Sequence, residues 1–347
     1  MARLVAGVGA GLVLGACSSL RYYAHVAHGE LDLLGRRRPI AAIVADPAAA
    51  PALRERLRRL EAGRAFASDR LDLPRNRSYT SYVELDRPFV TWNVFAAPEF
   101  SVEPVMHCFP LAGCVAYRGY FDRAMAEREA ARLAKRGDDT AIEGVSAYST
   151  LGWFADPVLS SMLRWNDDEL DGEIFHELAH QKLYVKGDSA FNESFATFVQ
   201  RQGVRQWRAA HHLPAPPAQA TASDAAFTRS VLELRERLRA LYARDLDPAA
   251  MRAAKQREIA AFRERCARRR ECGEPRHAEW IAGPINNASL VPFGLYERWV
   301  AAFARLFREA ADDWPAFYRR AGELARARPA ERARRLAALA AAPADLR

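Results

Sequence analysis

Lysine is almost missing from this chain. Of 51 basic residues in 347, only Lys135, Lys182, Lys186 and Lys255 are lysines, and the rest are arginines. The net charge of +8 therefore comes from arginines interleaved with 43 acidic residues. That pattern reads as a solvated helical surface rather than a phosphate-binding patch, so no nucleic-acid partner is expected. Long apolar runs are lacking too. Beyond the first residues none approaches the ~20 needed to cross a bilayer, which excludes a polytopic membrane protein. No internal repeat of fixed period appears. What remains is a chain that is 50% hydrophobic and 27% charged, long enough for one large domain or two ordinary ones. Alanine inflates the hydrophobic share and favours helix over sheet.

The one apolar run lies at the start. Arg3 precedes Leu4 to Leu14, which is too short to span a membrane and has the length of a signal-peptide core. Leu14-Gly15-Ala16-Cys17-Ser18-Ser19 follows and resembles the bacterial lipobox, in which the cysteine is diacylated and becomes the new N-terminus. An ordinary secretory peptide cut near Ala16, or a plain N-terminal anchor, would share the run. Cysteine at the one position where lipidation needs it favours the lipobox. Ser18 rather than aspartate resembles lipoproteins sent on to the outer membrane. The expectation is a signal peptide over 1–16 and a mature chain lipid-anchored at Cys17, facing the periplasm.

Cysteine is otherwise scarce, and the remaining four form two local pairs, Cys108 with Cys114 and Cys266 with Cys272. In an oxidising compartment such pairs read as disulfides. A zinc cluster is the alternative, but neither pair has the two-residue spacing of a structural site.

The pattern from Leu20 to about Arg70 is helical, interrupted at Arg38-Pro39 and around Asp46-Pro47. Phe89–Phe95 and Cys114–Phe121 are β-branched and aromatic, and read as strands. Asp122–Arg136 reads as a helix stopped by Gly137. Ala141–Phe154 reads as a strand broken at Gly152. Helices follow over Asp168–Val185 and Phe191–His211, then a proline-rich linker, Leu213-Pro214-Ala215-Pro216-Pro217. Beyond it the chain reads as helix to Ala342, broken at Asp247-Pro248, the Cys266–Cys272 loop, Gly283-Pro284 and Trp314-Pro315. The expected fold is α+β and mostly helical: a β-rich, metal-binding part over 17–212, and a helical part over 213–347 packing on the same cleft.

The chemistry gathers in Glu173-Ile174-Phe175-His176-Glu177-Leu178-Ala179-His180-Gln181. On a helix His176 and His180 lie about 40° apart on one face with Glu177 beside them, while Ile174, Phe175, Leu178 and Ala179 take the opposite arc. Two imidazoles one turn apart suit Zn²⁺, and the adjacent carboxylate suits proton transfer from water. Such a five-residue match also arises by chance. Thirteen residues after His180, however, Glu193 opens a second helix with an apolar stripe of Phe195, Phe198 and Val199, and Gly187-Asp188 supplies a turn between the two. A glutamate entering from that helix completes a His₂Glu set with the fourth position left for water.

HELAH followed by NESFATFV resembles the gluzincin metallopeptidases, whose third ligand is the glutamate of an N-E-x-F-A type motif. The spacer is shorter than in thermolysin or the large zinc aminopeptidases, and Thr197 stands where thermolysin-like enzymes carry an aspartate. At closer range the chain resembles a bacterial family of predicted zinc aminopeptidases, often lipoproteins. RRRPI near Arg36, WNVFAAPEFS from Trp92, CFPLAGCVAYRGYF from Cys108, GVSAYSTLGWFADP from Gly144, IFHELAHQ and FNESFA carry that resemblance. It implies one zinc ion per chain on His176, His180 and Glu193, Glu177 as general base, and a peptide substrate.

Weaker candidates complete the site. Gluzincins place a Tyr or His over the metal to hydrogen-bond the oxyanion, and Tyr296 is the candidate for this role, against an ordinary core tyrosine with a wet tip. Ser146, Ala147 and Tyr148 are candidates for a strand on which a peptide adds by backbone pairing. Arg118 and Tyr120 are candidates for the cleft wall. The large aminopeptidases capture the substrate's α-amine with an acid in the strand before the zinc helix; Ser146–Thr150 has none, and Glu143 is the nearest upstream. Aminopeptidase is the leading expectation because the resemblance implies it, not because of any residue in this stretch. A zinc endopeptidase, or a non-catalytic outer-membrane lipoprotein binding peptides or assembly partners, remains beside it.

Overall fold

The computed structural model describes residues 20–109, 113–215 and 218–341. Cys17 and the signal-peptide segment lie outside them. The fold is mixed α+β, 62% helix and 11% strand, as the alanine-rich composition leads one to expect.

Prolines and aspartates set most of the helix ends. Helix α1 (20–35) leads into β1 (Arg38–Pro39), α2 (Ile40–Ala45) and α3 (Pro51–Arg70), with Pro51 in the first turn of α3. The short strand β2 (Ser81–Val83) lies between β1 and the later β8 (Val158–Leu159), antiparallel to the first and parallel to the second. A second sheet has β3 (Thr91–Pro98) at its centre, flanked antiparallel by β6 (Tyr117–Tyr120) and β7 (Asp138–Val145). In the chain between β3 and β6, a separate hairpin of β4 (His107–Phe109) and β5 (Gly113–Val115) is joined by the Cys108–Cys114 disulfide. Helix α4 (Arg123–Ala134), capped by Asp122 on Met125 N at 2.7 Å, covers one face of this sheet through Ala126, Ala130 and Leu133.

Helices α5 (Asp167–Lys182) and α6 (Ser189–Ala210) form the central pair. Next come α7 (Ala218–Tyr242) and α8 (Pro248–Ala267), then a 3₁₀ turn holding the Cys266–Cys272 disulfide, and α9 (Pro275–Ala282). The chain ends in α10 (Val291–Tyr296), α11 (Val300–Glu309), α12 (Trp314–Arg326) and α13 (Pro329–Ala341). The largest core joins α3, α5, α6 and α11–α13, with Phe175, Phe191, Phe195, Phe303, Phe307 and Phe317 all buried. Helices α7–α9 build a second core around Phe227, Leu234, Ile259 and Phe262.

One strand expectation needs correction. The strand expected over Ala141–Phe154 ends at Val145. Asp156 overrides the strand propensity beyond it, because its carboxylate accepts from Thr150 N at 3.2 Å and Thr150 Oγ1 at 2.6 Å. Leu151 and Gly152 then turn left-handed, at φ 56° and 82°. The break expected at Trp314-Pro315 is present: α11 ends at Glu309, and Trp314-Pro315 opens α12 after a turn in which Ala311 and Asp312 have positive φ.

Candidate metal centre

Helix α5 is fixed before it reaches its histidines. Asn166 and Glu169 form a reciprocal capping box, and three acids crowd the first turn, where the helix dipole favours them. Arg59 ties that turn to α3 through Asp167 and the fully buried Asp171, at 3.0 Å each. Ile174, Phe175, Leu178 and Ala179 are completely buried, so the opposite arc must present Glu173, His176, Glu177 and His180.

Six residues separate α5 from α6. Gly187 takes φ 80°, and Asp188 caps α6 by accepting from Phe191 N at 3.0 Å. Asn192 clamps the turn from both sides, accepting from Val185 N at 2.8 Å and donating to Val185 O at 2.9 Å. The β4–β5 hairpin lies directly on this turn: a Cβ at Gly113 would come within 2.7 Å of Gly187 N. The disulfide hairpin thus supports the loop that delivers Glu193.

The three donors converge. His176 and His180 Nε2 are 3.1 Å apart, and Glu193 Oε2 lies 3.3 Å from the first and 3.6 Å from the second. A tetrahedral ion with bonds of about 2.0–2.2 Å keeps its ligand atoms about 3.3–3.6 Å apart, so the donor set fits zinc in both chemistry and spacing. His176 Nδ1 faces Gln200 Oε1 at 3.2 Å, which leaves Nε2 as the free lone pair. Gln200 was not singled out in the sequence, although it lies two turns beyond Glu193 on the same face of α6. Thr197 is buried, and its hydroxyl makes no hydrogen bond.

Charge in the pocket is dominated by carboxylates. Burial opposes protonation of His176, yet the Glu193 hydrogen bond and the charges of Glu177, Glu193 and Glu173 push it up to about 9. Glu193 is held far below the carboxylate range: burial would raise it, but His180 and the hydrogen bonds from both histidines prevail. Burial, followed by the charge of Glu177, lifts Glu173 to about 7.

Tyr296 stands over the site. Its ring stacks on His176 at 6.1 Å and is 40% exposed. Ser194, beside Glu193, holds it there by donating to Leu295 O at 3.1 Å and accepting from Trp299 N at 3.0 Å. Its phenol is raised by Glu193 first, then by burial, with Glu143 and Glu173 also contributing.

The β6–β3–β7 sheet forms another wall, and strand alternation decides which residues reach it. Arg118 and Tyr120 point the other way: Arg118 lies 3.8 Å over the Tyr22 ring and pairs with Glu129, and Tyr120 is buried. Their neighbour Tyr117 takes the site-facing side, where burial and then Glu193 and Glu177 raise its phenol. Glu143, opposite Asn93, shares that face. Ser146, Ala147 and Tyr148 lie past the end of β7 and are no strand. The Ser146 carbonyl accepts from Ser161 Oγ at 2.6 Å, Ala147 is buried in the main core, and the Tyr148 ring packs on Phe121 at 5.1 Å.

Fold and donors together define a mostly helical α+β protein with a candidate His₂Glu metal centre. The family described as "Putative aminopeptidase" matches residues 21–336, and the chain belongs to that family. No curated protein and no solved structure matches it.

Proposed function

We propose that the protein is a zinc-dependent peptidase that trims peptides from the N-terminus. The carrying observation is the convergence of His176, His180 and Glu193 with Glu177 on the same helix face, in a chain of an aminopeptidase-type family. Zinc held there supplies a Lewis acid for the scissile carbonyl and acidifies water. Glu177 takes the proton of the attacking water and returns it to the leaving amine. Tyr296 donates a hydrogen bond to the oxyanion. The peptide lies along the Ile142–Gly144 end of β7, an edge strand of its sheet, beyond the point where Asn286 Nδ2 donates to Thr140 O. Val145 O bonds back to Val90 N, so by antiparallel alternation Ile142 and Gly144 turn their N–H and C=O groups outward. Glu143 and Glu173 bear on Tyr296, and neither lysine nor arginine is among the main charges acting there. A substrate α-ammonium balances them, which favours exopeptidase over endopeptidase action.

Zinc-loaded protein should remove N-terminal residues from free peptides and spare N-acetylated ones, as read by mass spectrometry. Glu177→Gln should keep about one zinc per chain and lose at least 10²–10⁴ of the rate. Glu193→Ala should lose the zinc itself. Internal cuts would favour the endopeptidase reading. Full wild-type rates in Glu177→Gln would sink the mechanism, and an inert wild type would leave a peptide-binding lipoprotein.

The same proposal places the chain at the outer membrane, facing the periplasm and anchored through Cys17, on the Leu14–Cys17 pattern. Metabolic labelling with an alkyne fatty acid should mark the wild type and not Cys17→Ala. Undiminished label on the mutant would remove the anchor.

A further inference from the structure

Gly172 is out of place by propensity. It lies buried in the middle of α5, where glycine is among the poorest helix formers because it gives up the most backbone freedom. Its φ is not positive, so the backbone there does not call for glycine either. What the residue does is leave room. A Cβ at Gly172 would meet Gln200 Cγ at 3.1 Å, Gln200 Nε2 at 3.2 Å and Val204 Cγ2 at 3.2 Å, closer than a methyl group normally packs. The Gln200 side chain of α6 is therefore seated against α5 at that helix's only glycine, one turn before His176.

From this seat Gln200 reaches the metal site from behind. Its Oε1 faces His176 Nδ1 at 3.2 Å, while its Nε2 lies on the Gly172 side. A carboxamide oxygen can only accept, so the contact places a proton on Nδ1 and turns the Nε2 lone pair toward Glu193, 3.3 Å away. The second imidazole is held differently. His180 Nδ1 is buried and makes no hydrogen bond, so no side chain among the described residues fixes that ring in the same way.

We propose that Gly172 and Gln200 are a positioning pair for His176: the glycine opens a seat in α5, Gln200 fills it, and its oxygen fixes the tautomer and ring plane of the ligand. The proposal rests on the zinc reading of the donor set, and not on the peptidase reading.

Zinc affinity of the full chain, read by competition with a chromophoric chelator, tests it without any measurement of activity. Gln200→Leu keeps the bulk and removes the acceptor, and should weaken zinc binding about tenfold to a hundredfold. Gln200→Glu keeps an acceptor oxygen and should restore most of that loss, which a role in packing alone would not do. Gly172→Ala should weaken binding several-fold by itself. In the Gln200→Leu background it should cost less than about twofold, because no acceptor is left to displace. Thermal unfolding of the zinc-free forms checks that each variant is folded. Wild-type affinity in Gln200→Leu would overturn the pair, and so would additive losses from the two substitutions, since Gly172 would then act on α5 alone. Should Gln200→Leu not fold, Gly172→Ala decides: unchanged affinity there removes the seat. A wild type that binds no zinc would defeat the metal reading and the pair with it. One that binds zinc and cleaves no peptide would defeat the peptidase reading only.

Discussion

The two largest cores among the described residues are held in place by different means. Around the metal helices the packing is aromatic: Phe195 alone lies within 6.3 Å, ring centre to ring centre, of Phe191, Phe303, Phe317 and Tyr318. Helices α7–α9 have an apolar interior of their own but are tied to the sheet by buried polar groups. Fully buried Asn287 donates to Pro98 O at 3.1 Å and Glu99 O at 2.9 Å, and accepts from the Tyr242 hydroxyl at 2.8 Å. Lys255 donates to Glu99 O at 2.9 Å and pairs with Asp139. Dispersion packing fixes positions in the first region, where three donor atoms must stay within a few tenths of an ångström. Directional hydrogen bonds fix orientation in the second.

Breaking each core should therefore have different consequences at the site. Phe195→Ala should cost about 3–5 kcal/mol and lower zinc affinity as well, because Phe195 sits two residues from Glu193 and anchors the same helix. Phe262→Ala, equally buried among α7–α9, should cost a comparable amount by urea unfolding yet leave zinc retention near wild type in the folded protein. Zinc titration of both variants under native conditions decides the matter. Equal loss of zinc would mean that the two cores act as one.

The contrast also explains what could be seen in the sequence. His176, His180 and Glu193 were legible because two share one helix and the third opens the next, so spacing stands in for geometry. The cysteine pairs were legible for the same reason, the two members of each lying six positions apart. Gln200 was not, since it meets the metal helix through a tertiary contact that no local period encodes. Arg118 and Tyr120 misled by one position, because strand alternation gives the site to Tyr117. The strand expected through Phe154 failed because one buried carboxylate, Asp156, recruits Thr150 into a turn, and local propensity yields to that tertiary bond. Helix ends fared better, since Asp122, Gly137 and Asp247 act within a turn of their own position.

The way the two regions bury charge sharpens the comparison at smaller scale. Lys255 and Asp139 go in together, whereas Glu30 on α1 is 8% exposed with one carboxylate oxygen lacking any hydrogen bond. Burial, and secondarily the charge of Asp156, lift Glu30 to about 7 from an ordinary 4.5, and Arg37 offsets only part of this. Burial likewise lifts Asp156 to about 6. A carboxyl whose folded pKa is raised stabilises the fold as the neutral acid. That contribution is complete below about pH 4.5 and is lost as the pH rises through 7. Wild-type stability should accordingly fall between pH 5 and pH 8. Glu30→Gln, which holds the neutral shape at every pH, should be nearly silent at pH 5 and stabilising by about 2 kcal/mol at pH 8. Urea unfolding at the two pH values measures the difference directly. If Glu30→Gln is destabilising at pH 8, the carboxylate is instead held charged by Arg37, as the buried Asp171 is paired with Arg59.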